Sequence, residues 1–338
     1  MKKILIIILT LLICTGCYDY KEINDLAIIS AIGVDYENDE YIITLEILND
    51  QIDKASSKIT SYTKTGSGKT LTSAIENAAD KLSKELIFNH IKLMILSKSI
   101  VETKFDNIID LFLRNTYFRE NFYVISSTDT KPEDLLNHTT NEAPIASTAI
   151  TDTLESISYS SNTNILKKFD EIVEEVITYG IDTCFSNITL KNDEFIVDGM
   201  AIFNNYDYIG NLDNEYVKIY NLLTDNFDRP TYTINYDNLS FTIAINNGKL
   251  NTEIKKGTIN VTGNLMGRII DNAPKYNIRD PKNLERIDND FTNLLNKKIP
   301  EFIKVLQDNN SDILGITRNY YKKTRTKDKD YWLKLDIK

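Results

Sequence analysis

The order of apolar patterns in the first part of the chain constrains its fold more than any other sequence feature. An almost unbroken apolar run at residues 26–34 predicts a buried strand, and the alternation at residues 41–48 predicts a second strand in a hairpin with the first. Helical spacing at residues 71–86 and 105–112 then alternates with short strand patterns. Because strands that alternate with helices are typical of mixed sheets with flanking helices, we expect an α/β (α+β mixed) fold.

After residue 180 the pattern becomes mostly β and then changes to a long helix. Residues 188–203 predict one hairpin, and Asn247–Gly248 predicts another, since this residue pair best suits a tight type I′ turn. The long helix is expected to start at Pro281 behind an Asp cap, and Pro300 is expected to kink or break it. The second half is therefore predicted to be rich in strands, with one long helix.

The chain is long enough for several domains, because its 338 residues exceed the ~100 to 200 of a usual domain. We expect a signal segment at residues 1–16, an N-terminal α/β domain at 17–190, a small middle β-rich domain at 191–230 and a C-terminal α/β domain with a long helix at 231–338. Residues 139–164 are rich in Ser, Thr and Asn, which predicts a long surface excursion or mobile loop. About three domains are thus expected in the mature chain.

The N-terminal segment has the features of an export signal. Lysines at positions 2–3 precede an apolar run at residues 4–13, which is well short of the ~20 apolar residues of a membrane-spanning helix. The segment ends on Gly16 and Cys17, and this ending resembles the bacterial lipoprotein box, in which the cysteine thiol is acylated with diacylglycerol and becomes the new N-terminus. Cys14 departs from that pattern, which usually has Leu there. We expect lipid attachment at Cys17; the alternative is a simple secreted protein whose Cys17 pairs with another group.

The net charge limits the partners of the chain. It is −10 for the whole sequence, and −12 once Lys2 and Lys3 leave with the signal. Because an acidic protein is repelled by phosphates, we expect no nucleic acid partner and no flat adsorption on anionic lipid, so the lipid at Cys17 must provide the anchor. With Cys14 removed, Cys184 is left alone, so the fold is expected to depend on its apolar core and not on disulfides.

No motif in the sequence carries recognisable chemistry. Residues 66–70 end in the Gly-Lys-Thr of a phosphate-binding loop, but Thr63 stands where the first glycine is needed, so we predict a turn that caps a helix. His90, His138 and Cys184 form no zinc-like or triad-like pattern, and His90 is expected inside the core or at the start of a strand. We therefore expect no metal, no cofactor and no enzyme activity, while a pair of glycosidase-type carboxylates, which needs no local motif, stays open.

Short motifs spread in order over the mature chain carry a resemblance to a known family. They lie at residues 16–19, 22–35, 68–71 with 74, 90–92, 112–114 with 118 and 119, 198–203 with 209 and 210, 312–315, 320, 321, 331 and 332. With these motifs the chain resembles the Ger(x)C spore germination lipoproteins, the C subunits of germinant receptors. The usual family opening has Trp where this chain has Tyr18. Relatives usually continue past the position of Lys338 through a further strand or two, so the last sheet is expected to be incomplete.

The resemblance implies a non-enzymatic receptor subunit with a three-domain α/β fold, tethered through Cys17 to the outer face of the spore inner membrane. The implied partners are a multi-pass B subunit and an A subunit with a large soluble domain, which act together in nutrient-triggered germination. Asn24, Asp25, Gly33 and Asp35 are candidates for the partner interface; alternatively, Gly33 and Asp35 end a strand and start its turn. The alternative function is an extracytoplasmic solute-binding lipoprotein that captures a small nutrient directly, and a lipoprotein hydrolase comes third.

Overall fold

The computed structural model describes residues 25–49, 59–114, 118–139, 143–225, 230–236, 239–271 and 276–338. This part of the chain forms a nine-stranded sheet and a four-stranded sheet, both packed against helices. The strands of the large sheet are β1 (Leu26–Glu37), β2 (Glu40–Leu48), β3 (Ser61–Gly68), β4 (Glu85–Ile87), β5 (Leu93–Ser97), β6 (Tyr123–Ser127), β7 (Cys184–Lys191), β8 (Glu194–Asn204) and β9 (Asp207–Leu212). The strands of the small sheet are β10 (Thr231–Tyr236), β11 (Leu239–Lys255), β12 (Thr258–Asp271) and β13 (Asp336–Ile337). The helices are α1 (Leu71–Ala79), α2 (Lys98–Thr103), α3 (Phe105–Arg114), α4 (Pro132–Asn137), α5 (Ala146–Ser160), α6 (Phe169–Ile177), α7 (Asn214–Leu223), α8 (Pro281–Asp308) and α9 (Ile316–Thr324), followed by a 3-10 helix at Tyr331–Lys334.

The large sheet has a parallel centre and antiparallel flanks. Its strands follow the order β3, β2, β1, β5, β6, β7, β8 and β9, with β4 beside the start of β1. β1, β5, β6 and β7 run parallel, whereas β2, β3, β8 and β9 run antiparallel to their neighbours. The predicted α/β (α+β mixed) fold with mixed sheets and flanking helices is confirmed.

The register of the four parallel strands gives the large sheet two distinct ends. Ala31 of β1 lies beside Leu93 of β5, which lies beside Tyr123 of β6. Farther along, Ser126 of β6 lies beside Asn187 of β7, so all four strands start at one end of the sheet. We call this the amino end, and the end where these strands finish the carboxyl end.

The predicted loop at residues 139–164 is wrong, because most of it is the helix α5. Ala146, Ile150 and Leu154 repeat at four-residue spacing and are fully buried, which gives α5 an apolar stripe against the large sheet. The Ser and Thr residues, which suggested a loop, form hydrogen bonds within the helix instead. Thr151 Oγ1, for example, donates to the carbonyl of Ser147 at 2.9 Å.

A buried carboxylate holds the start of α5 on the sheet. Glu46 of β2 has no exposed surface and accepts hydrogen bonds from Ser30 Oγ at 2.7 Å and Ser61 Oγ at 2.9 Å. It also accepts from the backbone N–H of Ser147 at 3.3 Å, in the first turn of α5. A negative charge at this place is favourable because the helix N-terminus is its positive end. Glu46 therefore joins three strands to a helix whose own sequence gives only a weak signal.

The expected type I′ turn at Asn247–Gly248 is also wrong. Both residues lie inside β11, where the register against β12 shifts beside them, and the hairpin turns instead at Lys256 and Gly257, which have positive φ. The long ladder between β11 and β12 outweighs the local preference of the pair. The helix α8 starts at Pro281 as predicted and runs through Pro300 without a break. Within the described ranges, no helix is both long and apolar enough to cross a membrane.

The glycine-rich segment before α1 serves packing. Gly66 and Gly68 lie in β3, and a Cβ atom on Gly66 would lie 2.3 Å from the carbonyl oxygen of Ala74, so the backbone of α1 sits directly on the strand. Thr70 caps α1 as predicted, since its side chain accepts from the backbone N–H of Ser73 at 3.1 Å. The predicted cap at Thr70 is thus confirmed, whereas the predicted turn is wrong for residues 66–68, which belong to β3, and the chain bends only at residues 69 and 70.

The predicted domain limits at residues 190 and 230 stay predictions. The strands on both sides of residue 190, β7 and β8, pair as a hairpin in the large sheet. The turn of this hairpin lies at Asn192 and Asp193, which have positive φ, and so the predicted hairpin is confirmed.

Two buried aspartates join the C-terminal part of the chain to the large sheet. Asp182, just before β7, accepts from the backbone N–H of Asp312 at 2.7 Å and of Asn205 at 2.8 Å. Asp312 in turn accepts from the backbone N–H of Ile316 at 2.8 Å and Thr317 at 2.7 Å, at the start of α9. We call this set the aspartate junction, and it fixes the position of α9 relative to the large sheet.

The aspartate junction should make stability depend on pH. Burial raises the pKa of Asp312 from 3.8 to about 6, although the two backbone N–H groups act in the opposite direction. A raised folded-state pKa means that the folded state holds this proton more tightly than the unfolded state. Its contribution to stability is therefore full below about pH 4 and is lost as the pH rises through about 6.

We expect the free energy of unfolding of the wild type, relative to Asp312→Asn, to fall by roughly 2–3 kcal/mol between pH 4 and 7. Asn keeps one of the two oxygen acceptors and removes the titration, so the variant lowers stability by an amount that does not depend on pH, and only the pH dependence of the difference is compared. Urea unfolding across this pH range measures the difference, with Asp152→Asn on the exposed side of α5 as the matched control. Parallel curves for the wild type and Asp312→Asn would contradict this assignment.

Candidate functional site

The sequence-predicted site residues lie in different places. Cys17 and Asn24 fall outside the described residues. Asp25 is exposed and directly precedes β1 at the amino end of the large sheet. Gly33 and Asp35 both lie inside β1, toward its carboxyl end. The structure therefore does not bring Asp25 together with Asp35, which stand at opposite ends of one strand.

The interpretation that Gly33 and Asp35 end a strand and start its turn is wrong. β1 continues to Glu37, and the turn to β2 lies at Asn38 and Asp39, which have positive φ. A type I′ hairpin turn needs positive φ at both central residues, which Asn and Asp adopt more readily than most residues, so Asn38 and Asp39 form the turn that ends β1.

Gly33 lies where a helix packs closely on the sheet. A Cβ atom at this position would lie 2.8 Å from Cβ of Pro132 and 3.2 Å from Cδ1 of Leu136, both in α4. Distances this short mean that α4 can approach β1 only because the side chain is absent. The role that the structure gives Gly33 is therefore packing.

Asp35 lines a polar cleft at the carboxyl end of the large sheet. The cleft has a volume of about 320 Å³ and lies where β1, β5 and β6 finish. In open α/β sheets, crevices beside the carboxyl ends of parallel strands are the usual location of binding sites. The side chains that line this polar cleft are Asp35, Tyr36, Glu37, Ser97, Lys98, Ser99, Glu102, Ser127, Thr128, Asp129, Thr130 and Lys131.

Hydrogen bonds fix the acid at the base of the polar cleft. Oδ1 of Asp35 accepts from Ser99 Oγ and from the backbone N–H of Tyr36, both at 2.8 Å. The hydroxyls of Ser97 and Ser99 lie 2.8 Å apart, and Ser97 also caps α2. The carboxylate thus links the end of β1 to the first turn after β5.

Two ion pairs line the polar cleft. Lys131 Nζ lies 2.6 Å from Glu37 Oε1, and Lys98 Nζ lies 3.8 Å from Glu102 Oε1. The hydrogen bond to Glu37 and the charge of that carboxylate raise the pKa of Lys131, so this lysine stays cationic at neutral pH. Hydroxyls and paired charges suit the recognition of a polar group or of a partner's loop.

The histidines and the described cysteine lie away from the polar cleft. His90 is exposed just before β5, which confirms its expected place at the start of a strand and excludes the core. His138 Nε2 lies 2.9 Å from the carbonyl oxygen of Asp193. Burial raises the pKa of the Cys184 thiol, whose sulfur lies 3.7 Å from Lys167 Nζ.

A second, larger cavity of about 700 Å³ lies between the β11–β12 hairpin and α8. Its walls include Leu250, Val261, Phe291 and Leu295, and Asp25, Gly33 and Asp35, the predicted site residues that the structure describes, do not line it. The polar cleft is therefore the cavity that contains a sequence-predicted residue.

Sequence reasoning identified only Asp35 among the residues of the polar cleft. Apart from the neighbouring Tyr36 and Glu37, its other side chains come from chain segments about 60 and 90 residues further on, at the ends of the buried strands β5 and β6. A search for Ser, Thr and charged residues immediately after the buried strand patterns of β5 and β6 would have found Ser97 and Ser127. The parallel pairing that brings them together is not visible in any one segment.

Comparison with known proteins identifies two family matches, which together cover residues 19–338 except for residues 191–197. Residues 19–190 match the family described as "Spore germination protein N-terminal domain". Residues 198–338 match the family described as "Spore germination B3/GerAC like, C-terminal". The two matches follow each other in the order of the chain and together cover both sheets.

Curated relatives and a solved structure agree with these matches. Spore germination protein KC of Bacillus subtilis is 30% identical over 44% of this chain, and spore germination protein A3 of the same species is 28% identical over 60%. The matched regions span 39% and 55% of the length of those two proteins. The crystal structure of the GerBC protein superposes with a TM-score of 0.58 over 91% of this chain and 94% of its own, at 14% identity, which shows a shared fold.

We expect Gly33→Ala to destabilise the protein by about 1–3 kcal/mol, because the added methyl group would push α4 away from β1. Asp25→Ala, at the exposed position before β1, is the control and should change stability by less than about 0.5 kcal/mol. Chemical denaturation of both variants measures the two effects. If Gly33→Ala were as stable as the control, close packing would not explain this glycine.

Proposed function

This chain belongs to the Ger(x)C family of spore germination proteins, and from that membership we propose that it is the lipid-anchored C subunit of a nutrient germinant receptor. The observation that carries the proposal is the pair of family matches, which follow in order from residue 19 to residue 338. The lipoprotein-type ending at Gly16 and Cys17 supports it. The protein acts without catalysis, as a docking subunit in nutrient-triggered germination.

The proposed anchor is a lipid on Cys17, at the outer face of the spore inner membrane. Eight residues connect Cys17 with the start of β1, and an extended segment of that length spans at most ~28 Å. The amino end of the large sheet is therefore held close to the membrane. Membrane-embedded partners can reach the protein there.

The proposed partners are the A and B subunits of the receptor. The polar cleft around Asp35 is the candidate contact at the carboxyl end, because its hydroxyls and paired charges can exchange hydrogen bonds with a partner's loop. Asn24 and Asp25 are the candidates at the opposite end, beside the anchor. We expect no nucleic acid partner, because the chain as a whole has a net charge of −10.

A solute-binding lipoprotein is the second candidate, and the polar cleft is the observation that favours it. A small nutrient would have to displace the contacts that Asp35, Lys131 and Lys98 already make with neighbouring side chains. Those contacts are part of the folded protein, so each one lost subtracts from the affinity. A partner surface, which can add contacts around the rim and leave the existing pairs intact, fits the polar cleft better.

A complementation experiment tests the proposed function. In a strain that lacks this gene and its paralogues, we expect germination to particular nutrients to be lost while spores still form. The wild type and Cys14→Ala should restore the response, because Cys14 leaves with the signal. Cys17→Ala should restore little of it, since the protein is released from the membrane.

Two results would contradict the proposal. Unchanged germination to every nutrient in the deletion strain would exclude a receptor subunit. Full complementation by Cys17→Ala, with the protein retained in the detergent phase of a phase separation, would place the anchor elsewhere in the chain.

A further inference from the structure

The charge of this acidic protein is unevenly distributed. Residues 318–338 contain eight Lys and Arg residues and three Asp residues, although the whole chain has a net charge of −10. The expectation that the protein avoids anionic lipid came from the net charge alone. The C-terminal part, considered separately, has the opposite sign.

The positive charges are concentrated in an exposed segment that starts in the last turn of α9. Residues 322–330 are all exposed, and we call residues 322–329 the basic segment. Lys323 pairs with Glu253 at 2.6 Å. Among the described residues, Lys322 and Arg325 have no carboxylate within ion-pair distance, and Lys327 Nζ lies 5.5 Å above the ring of Tyr179. Asp328, inside the segment, offsets one of these charges.

The basic segment lies at the amino end of the large sheet. Lys329 Nζ is 3.4 Å from Oδ1 of Asn204, the last residue of β8, and β8 ends beside the first residue of β7. The backbone N–H of Arg318 donates to the carbonyl of Gly180 at 2.7 Å, just before β7 begins. One contact just before β7 and one at the end of β8 therefore place the basic segment at the end of the sheet where the parallel strands start.

The proposed lipid anchor leaves the protein at the same end. Asp25 precedes β1, and β1 is three strand spacings away from β7 in the order β1, β5, β6, β7. Three spacings correspond to roughly 14 Å across the sheet, and β1 starts five residues, or roughly 17 Å, before the level of Leu93 in β5, which gives a combined separation of roughly 22 Å. With the linker from Cys17, the membrane surface that carries the lipid is within reach of the basic segment.

We propose that the basic segment binds anionic lipid headgroups and orients the anchored protein with the amino end of its large sheet on the membrane. This inference rests on the lipid anchor at Cys17 proposed above. Lys322, Arg325 and Lys327 supply donors for phosphate oxygens, and Arg325 can offer two parallel N–H groups. The rings of Tyr179 and Tyr321, whose centroids are 5.3 Å apart beside Lys327, suit the headgroup region, where an apolar body and a polar tip are both accommodated.

An anionic bilayer fits this surface better than an acidic protein does. The anchor brings the bilayer within reach of the segment and keeps it there, which raises the effective concentration of headgroups. Each Lys or Arg near an anionic membrane contributes roughly fivefold to the binding constant, so a few weak contacts suffice for a protein that is already tethered.

Lipidated full-length protein in vesicles tests the proposal. A fluorescent label on Thr326→Cys reports contact with quencher-bearing lipid, and a label on Glu194→Cys, at the carboxyl end, is the matched control position. Cys184 is buried and stays unlabelled. With phosphatidylglycerol in the vesicles, we expect the label at 326 to be quenched and the label at 194 to stay unquenched. Raised salt should reverse the quenching, because it screens the charges.

Charge variants supply the second control. Lys322→Gln with Lys327→Gln should shift the ratio of docked to undocked protein by roughly 25-fold toward undocked, at about fivefold per lysine. Lys69→Gln with Lys191→Gln removes the same charge from the carboxyl end and should leave the quenching unchanged.

The outcomes separate this inference from the proposed function. Protein that fails to float with neutral phosphatidylcholine vesicles lacks the lipid anchor, and the proposed function then fails. Protein that floats with both kinds of vesicle, but whose label at 326 stays unquenched, overturns the orientation proposal alone. Equal quenching in neutral and anionic vesicles would also overturn it. So would a lysine variant that keeps the quenching but no longer co-purifies with an acidic protein that binds the wild type.

Discussion

The aspartate junction is the interaction on which the arrangement of this molecule depends. Across the interface between the large sheet and the C-terminal part of the chain, the backbone N–H of Asp182 donates to the carbonyl of Asp312, and the backbone N–H of Asp312 donates to the carboxylate of Asp182. The carboxylate of Asp312 accepts from the first two backbone N–H groups of α9. Both side chains are almost fully buried. Buried carboxylates are costly unless their oxygens are satisfied, and here backbone N–H groups satisfy them in one geometry only. The junction thereby fixes the position of α9, and with it the basic segment, at the amino end of the large sheet.

This geometry gives the two ends of the large sheet different chemistry. The amino end has the proposed anchor beside Asp25 and the basic segment at residues 322–329, whereas the carboxyl end has the polar cleft around Asp35. Asp35 follows Asp25 by ten positions, a separation of roughly 33 Å along a strand. A partner that contacts the polar cleft must therefore project well above the bilayer, as a soluble domain of a receptor subunit would. Partners confined to the bilayer would meet the amino end instead.

The elements that could be predicted from the sequence are those with strong local patterns. The β1–β2 hairpin, the cap at Thr70 and the start of α8 at Pro281 all follow from signals within a few residues. The helix α5 could not be predicted, because its first turn depends on Glu46, about 100 residues away. The turn expected at Asn247–Gly248 failed because pairing with β12 outweighs the local preference. Of the residues in the polar cleft, only Asp35 could be identified from the sequence, since the parallel pairing of distant strands assembles the others. The basic segment was not visible in the net charge, because that value is summed over the whole chain.

The central claim is that a lipid on Cys17 holds the amino end of this protein at the membrane. The mass of the mature N-terminal peptide, isolated from spore membranes, tests it most directly. The account predicts a peptide that begins at Cys17 and carries the mass of a diacylglyceryl group with its acyl chains. A peptide with an unmodified Cys17, or one that still contains residues 1–16, would contradict it.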